Sequence, residues 1–283
     1  MIADWKIRSL TAAGLPAAVA LLQGRARDNL LLLDLVRRFG EAPAPGEMAA
    51  ELLGLYAGAE LVGVAALRPI VAVDADFPGA ALDLLAPYLE DLQVGLLKGD
   101  PAPIERLWSF IRRRRRHRIW VDRLETCFAV DPNSACLSPA SPEAIARGAD
   151  SRDLDDLVFA ARESLREEGR PDPFRGDARG FRRWVAGRVA RARLLETEAG
   201  VVFVGYADVR SAEGWLLQGI YTWPEARRQG FAALGTSALC RETFAAGGDH
   251  VQLAVVDGND PARRLYEGLG FKPYGRLRTI LFT

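Results

Sequence analysis

Residues 218–233, reading QGIYTWPEARRQGFAA, hold the spacing best suited to chemistry. An apolar strand ends near Tyr221–Thr222, Pro224 stops it, and Arg227-Arg228-Gln229-Gly230-Phe231-Ala232 turns into a helix. The start of a helix leaves several backbone N–H groups unpaired and concentrates partial positive charge there. Gly230 and the small Ala232 let a ligand approach that backbone closely. The guest this turn expects is a phosphate or pyrophosphate. A glycine at a strand-to-helix turn is also ordinary loop punctuation, so the turn alone leaves both readings open.

The segment does not stand alone. It resembles the cofactor-binding motif of the GNAT N-acetyltransferase superfamily, Gln/Arg-x-x-Gly-x-Gly/Ala, with Arg227, Gly230 and Ala232 in register. One helix later, residues 251–271 read VQLAVVDGNDPARRLYEGLGF. This is similar to the family's second signature: a strand, then Asn, then Ala-x-x-Leu-Tyr-x-x-Leu-Gly-Phe. The resemblance covers residues 143–283, and its specific part lies between Trp215 and Phe271.

The resemblance implies an N-acyltransferase that moves an acetyl or short acyl group from CoA to a primary amine, with acetyl-CoA as co-substrate and no metal. Acetyl-CoA would enter where two parallel strands, Trp215–Tyr221 and Val251–Val256, splay apart. Ile220, Tyr221 and Thr222 would line its pantetheine arm. Arg227, Arg228, Gln229, Gly230, Phe231, Ala232 and Ala233 would surround the pyrophosphate, with Asn259 and Arg263 reaching the cofactor from the other side. A backbone amide near Ile220 would polarise the thioester carbonyl. Tyr266 occupies the family's position for the general acid that protonates the departing thiolate, and it would also touch the cofactor. A phenol with a reference pKa of about 10 suits that task. Asp208, Glu213 and Tyr221 are candidates for the base, and spacing selects none of them. Some relatives use only a water chain.

These residues need a scaffold. In the second half, helices are expected at 150–167 and 178–192, then strands at Leu194–Thr197, Val201–Val209 and Trp215–Tyr221. A helix at Phe231–Ala245, a strand at Val251–Val256, a short helix at Asp260–Glu267 and a strand at Arg276–Phe282 follow. The first half alternates in a similar order: helices at 11–24 and 29–39, a hairpin-like pair at Leu52–Tyr56 and Leu61–Leu67, a helix at 79–91, a strand at Gln93–Leu97, a helix at Pro101–Arg113 and a long strand at Arg118–Val130. The fold class is α+β, two GNAT-like domains each with a mixed, partly antiparallel sheet flanked by helices. The expected division is a degenerate domain at 1–130, a linker at 131–142 (DPNSACLSPASP) and the acetyl-CoA-binding domain at 143–283. The first half has no Arg-x-x-Gly-x-Gly/Ala turn after a strand; its glycine candidates near Gly79 and Gly99 lack a basic approach.

Composition narrows the rest. Lys plus Arg and Asp plus Glu are 37 each, so net charge implies no polyanionic partner. Cys127, Cys136 and Cys240 have no metal-ligand spacing, and His117 and His250 are the only histidines. No apolar run approaches a membrane span and the N-terminus does not read as a secretory signal, so a cytoplasmic protein without a membrane partner is expected. The Arg112–Arg116 run reads as a solvated helix end rather than a nucleic-acid patch. Small molecules, peptides and proteins all stay open as amine acceptors, as does oligomerisation. Two rivals stand beside the acyltransferase: a non-catalytic acyl-CoA sensor, and a tandem-GNAT enzyme taking an aminoacyl group from tRNA.

Overall fold

The computed structural model describes residues 4–283. Contacts divide the chain into two compact units: residues 4–42, Met48–Thr126 and Arg276–Thr283 in the first, Pro43–Glu47 and Cys127–Gly275 in the second. The chain therefore changes unit inside two of its strands.

In the first unit the order is β1 (Trp5–Ser9), α1 (Leu15–Gln23), α2 (Ala26–Arg37), β2 (Glu51–Ala57), β3 (Glu60–Arg68), β4 (Ala72–Val73), α3 (Ala86–Leu89), β5 (Gly95–Gly99), α4 (Pro101–Ile111) and β6 (Ile119–Val130), the last running on into the second unit. Strands β1 to β4 form an antiparallel sheet in that order. Helix α2 buries Leu30, Leu33 and Val36 at helical spacing, and α4 buries Ile104, Leu107 and Ile111. Each such side chain contributes roughly 1.5–3 kcal/mol by leaving water. The helix expected at 79–91 is instead a 3-10 stretch at Gly79–Leu85 followed by the four-residue α3. Pro87 stands inside it, and proline lacks the N–H an α-helical bond needs.

The second unit repeats this order: β7 (Ile145–Gly148), α5 (Leu154–Glu167), α6 (Phe174–Ala186), β8 (Ala192–Thr197), β9 (Gly200–Ser211), β10 (Gly214–Thr222), α7 (Phe231–Ala245), β11 (Val251–Val256), α8 (Asp260–Gly268) and β12 (Lys272–Phe282), the last passing into the first unit at Arg276. Its strands lie in the order β6–β11–β10–β9–β8–β7, with β7 at the edge. Pairs from β7 to β10 are antiparallel, whereas β10 and β11 are parallel. The mixed sheet of the expected fold class is present. Leu157, Phe203, Val204, Leu217, Leu253 and Phe271 centre its core.

Two expectations shift. The helix placed at 178–192 runs over Phe174–Ala186 and stops at Gly187, where a Cβ would come 2.6 Å from the Pro45 carbonyl oxygen. The stretch 131–142 is bonded into the second unit: the Cys136 amide donates to the Leu269 carbonyl at 3.0 Å, and the Ser138 amide to Ser237 Oγ at 3.0 Å. The short strands β1 and β7 were not foreseen: the alternation in β1 spans only Trp5 to Arg8, and β7 has none.

Candidate functional site

The β9–β10 ladder slips twice within a few residues. Val209 pairs with Leu216 and Ala207 with Leu217, which leaves Asp208 as an extra residue. Then Gln218 pairs with Tyr206 and Tyr221 with Val204, so Gly219 and Ile220 together oppose the single residue Gly205. Such bulges bend a strand and re-aim its groups. Gly219 has φ +56, and a Cβ there would lie 3.0 Å from the Tyr206 ring, so both backbone and space require glycine.

Paired residues share a face of the sheet. Phe203 faces α7, where its ring fills the space beside Gly235, while Tyr206, Gln218 and Tyr221 face the other way. On that side α5 contributes Glu163 and Glu167, close enough to Tyr221 for their charge to act on its phenol. Burial first, and then Glu167, push that phenol above its ordinary range. Its hydroxyl is buried and has no hydrogen-bond partner.

On the other side of β10 the sheet opens. The parallel ladder to β11 holds only at Trp215–Val251 and Leu216–Gln252, although β10 continues to Thr222 and β11 to Val256. The two strand ends diverge and leave their facing backbone without ladder bonds to each other. The bulge at Gly219–Ile220 lies beside this opening.

The turn after β10 carries strain of a useful kind. Arg228 has φ 61, and among the described residues it is the one non-glycine with positive φ; Gly230 follows with φ 86. Nothing lies within 4 Å of where a Gly230 Cβ would sit. The first bond of α7 runs from the Leu234 N–H to the Gly230 carbonyl at 3.0 Å, so the amides of Phe231, Ala232 and Ala233 precede it. Gly230 offers them no capping side chain. Helix α8, by contrast, is capped internally, because Asn259 Oδ1 accepts the Ala262 N–H at 3.2 Å. An anion therefore fits the start of α7, on its open backbone and partial positive charge.

The side chains around this turn have defined places. Arg227 Nε donates to the Thr222 carbonyl at 3.0 Å and Nη2 to Glu167 Oε1 at 2.7 Å, which holds the guanidinium towards α5. Gln229 Nε2 bonds the Glu225 carbonyl at 2.8 Å, and Arg263 is exposed beside Asp260. Tyr266 on α8 is buried, with its ring 5.6 Å from that of Phe271. Burial, and then the neighbouring Cys240, push its phenol well above the usual range, so it stays protonated.

The candidate bases separate. Asp208 Oδ2 accepts Arg188 Nη2 at 2.6 Å, while Oδ1 is buried without a hydrogen-bond partner, 3.9 Å from Arg191. The Arg188 guanidinium lies between two rings, 4.6 Å from Trp184 and 4.3 Å from Tyr206. Burial pushes the Tyr206 phenol up to about 12. Glu213 sits in the β9–β10 turn, six residues before Gly219 and roughly 20 Å along the strand from the bulge. Tyr206, Gln218 and Arg188 escaped the sequence reading, since only the double slip brings them beside the bulge.

Comparison with known proteins places the fold. Residues 206–279 match the FR47-like protein family. A Drosophila melanogaster protein is 15% identical with a TM-score of 0.76, each chain covered to 98%. A tandem GNAT protein from the clavulanic acid biosynthesis pathway is 14% identical with a TM-score of 0.59, again covering 98% of both chains. The fold is that of a tandem GNAT protein. A GCN5-related N-acetyltransferase from Sphaerobacter thermophilus, at 15% identity and a TM-score of 0.61, matches 98% of this chain and 95% of its own.

The two GNAT-like units differ where it matters. In the first, β4 has two residues and the following turn is filled from within. Asp74 accepts the amides of Val64 at 2.7 Å and Asp76 at 3.0 Å, and Asn29 accepts that of Ala75 at 2.8 Å. The amides of Ala75 and Asp76 in this turn are thus already taken by the chain's own side chains, unlike those at the start of α7. The arginine run is largely paired: Arg112 on Glu105, Arg113 and Arg114 on Glu90. Among the described residues, no group of His, Cys, Asp and Glu is arranged to hold a metal, and no helix is long and apolar enough to cross a membrane.

Proposed function

We propose that the second unit moves an acetyl or other short acyl group from CoA to a primary amine, which attacks the thioester directly. The observation that carries this reading is the parting of β10 from β11 beside the Gly219–Ile220 bulge, with the uncapped start of α7 at the end of the same strand. The amides of Phe231, Ala232 and Ala233 and the backbone of Arg228 to Gly230 would hold the pyrophosphate. The facing backbone of Ile220, Tyr221 and Thr222 would hold the pantetheine arm, with Asn259 and Arg263 on the far side. When bound, acetyl-CoA supplies the activated acyl group.

The chain's own residues would do the rest. The Ile220 amide would donate to the carbonyl oxygen as negative charge develops on it. Tyr266, protonated and buried, would deliver a proton to the sulfur as the C–S bond breaks. Asp208 would be the acceptor of the amine's proton, a reading supported by its Oδ1, which makes no hydrogen bond and lies 3.9 Å from Arg191. It lies three residues along β9 from Gly205, about 10 Å, so a water chain would carry the proton. Glu213 is too far along β10 for that task. The first unit, with its turn filled by Asp74, would bind no CoA.

Titrating acetyl-CoA calorimetrically into the protein and into a Gly230→Glu variant tests the reading. The expected result is micromolar binding by the wild type, lost in a variant that is still folded by circular dichroism. A wild type that binds no acetyl-CoA would sink it and favour a protein with a vestigial turn.

A further inference from the structure

We infer that the hydroxyl of Tyr221 is the direct contact for the attacking amine, positioning its nitrogen beside the bulge. The inference rests on the acyl-transfer reading above and adds a residue role to it.

Four observations converge on this hydroxyl. Tyr221 follows Ile220 directly and pairs with Val204, so it borders the bulge whose amide would face the thioester carbonyl in the reading above. Its side chain lies on the face of the sheet shared with Tyr206 and Gln218, away from α7. The ring is fixed, packed edge-on against Trp223 at 5.4 Å and lying 5.4 Å from the Arg227 guanidinium. The residue is 4% exposed, yet Oη has no partner. A buried polar group without a partner costs stability, and a phenylalanine of the same shape would avoid that cost. An orphan held at this cost beside a reactive backbone marks a place where a ligand completes the bonding.

The hydroxyl is not the base. Burial and the carboxylates of Glu167 and Glu163 keep it protonated, so its role is to accept an N–H of the incoming amine and orient the nitrogen lone pair at the carbonyl carbon. The amine's proton leaves elsewhere, through water towards Asp208. No bond to Tyr221 forms or breaks.

The test is Tyr221→Phe in the full chain, read three ways. These are the unfolding temperature, acetyl-CoA affinity by calorimetry, and kcat/KM with the primary amine that the wild type acylates fastest from a panel of alkylamines, amino acids and lysine peptides. The inference expects an unfolding temperature equal to or above wild type, an unchanged acetyl-CoA Kd, and kcat/KM for the amine lower by roughly tenfold to a hundredfold. A kcat/KM within twofold of wild type overturns it. A lower unfolding temperature overturns it as well, since the hydroxyl would then have a structural partner. A wild type that binds acetyl-CoA but acylates no amine of the panel overturns the inference and leaves the cofactor reading standing. A wild type that binds no acetyl-CoA fails the underlying reading, and this is seen before Tyr221 is assayed.

Discussion

Arg227 Nη2 donates to Glu167 Oε1 at 2.7 Å, which ties the turn before α7 to the last residue of α5. Both side chains are about two-fifths exposed, at 40% and 39%, so the pair adds little to stability. Exposed pairs of this kind contribute about 0–1 kcal/mol. Its importance is positional, because a pyrophosphate at the turn and Glu167 compete for one guanidinium. Glu167→Gln is expected to leave the unfolding temperature within a degree or two and to tighten acetyl-CoA binding a few-fold. Arg227→Ala should weaken that binding. Calorimetry on both variants checks this, and weaker binding by Glu167→Gln would show that the pair instead shapes the turn for its ligand.

Tyr266 is expected to act on turnover and not on affinity. Tyr266→Phe keeps the ring packed against Phe271 and removes only the proton donor. Acetyl-CoA affinity should hold while kcat falls about 10²-fold or more, the usual scale for a positioned acid. Steady-state kinetics beside calorimetry separates the two, and an unchanged kcat would remove Tyr266 from the chemistry.

The first unit carries a pH-dependent contribution to stability. Glu125 is 2% exposed. It accepts Lys98 Nζ and Arg123 Nε, both at 2.8 Å, and Thr279 Oγ1 at 3.0 Å. Burial opposes its ionisation, but Lys98 and Arg123 outweigh burial and hold the carboxyl below its ordinary range. A carboxyl with a depressed folded-state pKa stabilises fully above its unfolded pKa of about 4.3, and that contribution fades as pH falls through the lower folded value. Glu125→Gln should therefore lose about 3 kcal/mol at neutral pH. The difference from wild type should shrink steadily below about pH 4. Denaturant unfolding of both proteins across pH 3–7 checks the sign; a gap that widens in acid would contradict it.

Much of the second unit could be read directly. Helix α7 and strand β11 run over Phe231–Ala245 and Val251–Val256, the ranges read from the sequence, because long apolar runs flanked by Gly and Asp leave little choice of boundary. The turn at Gly230 was readable for the same local reason: a glycine between a strand stop and a helix start can take the positive φ found there. Boundaries failed where a distant contact decided them, as at Gly187 against Pro45.

The order of most strands and helices, the open turn before α7 and the place of Tyr266 on α8 were legible from the residues alone, since each depends on neighbours in the chain. Which polar groups share a space depends instead on how the strands pair. The double slip between β9 and β10 sets Tyr206 against Gly219, takes Asp208 out of the ladder onto Arg188 and leaves the Tyr221 hydroxyl buried without a partner. Register is a property of paired strands, and a shift of one residue changes which side chains meet. No single strand's sequence contains that information.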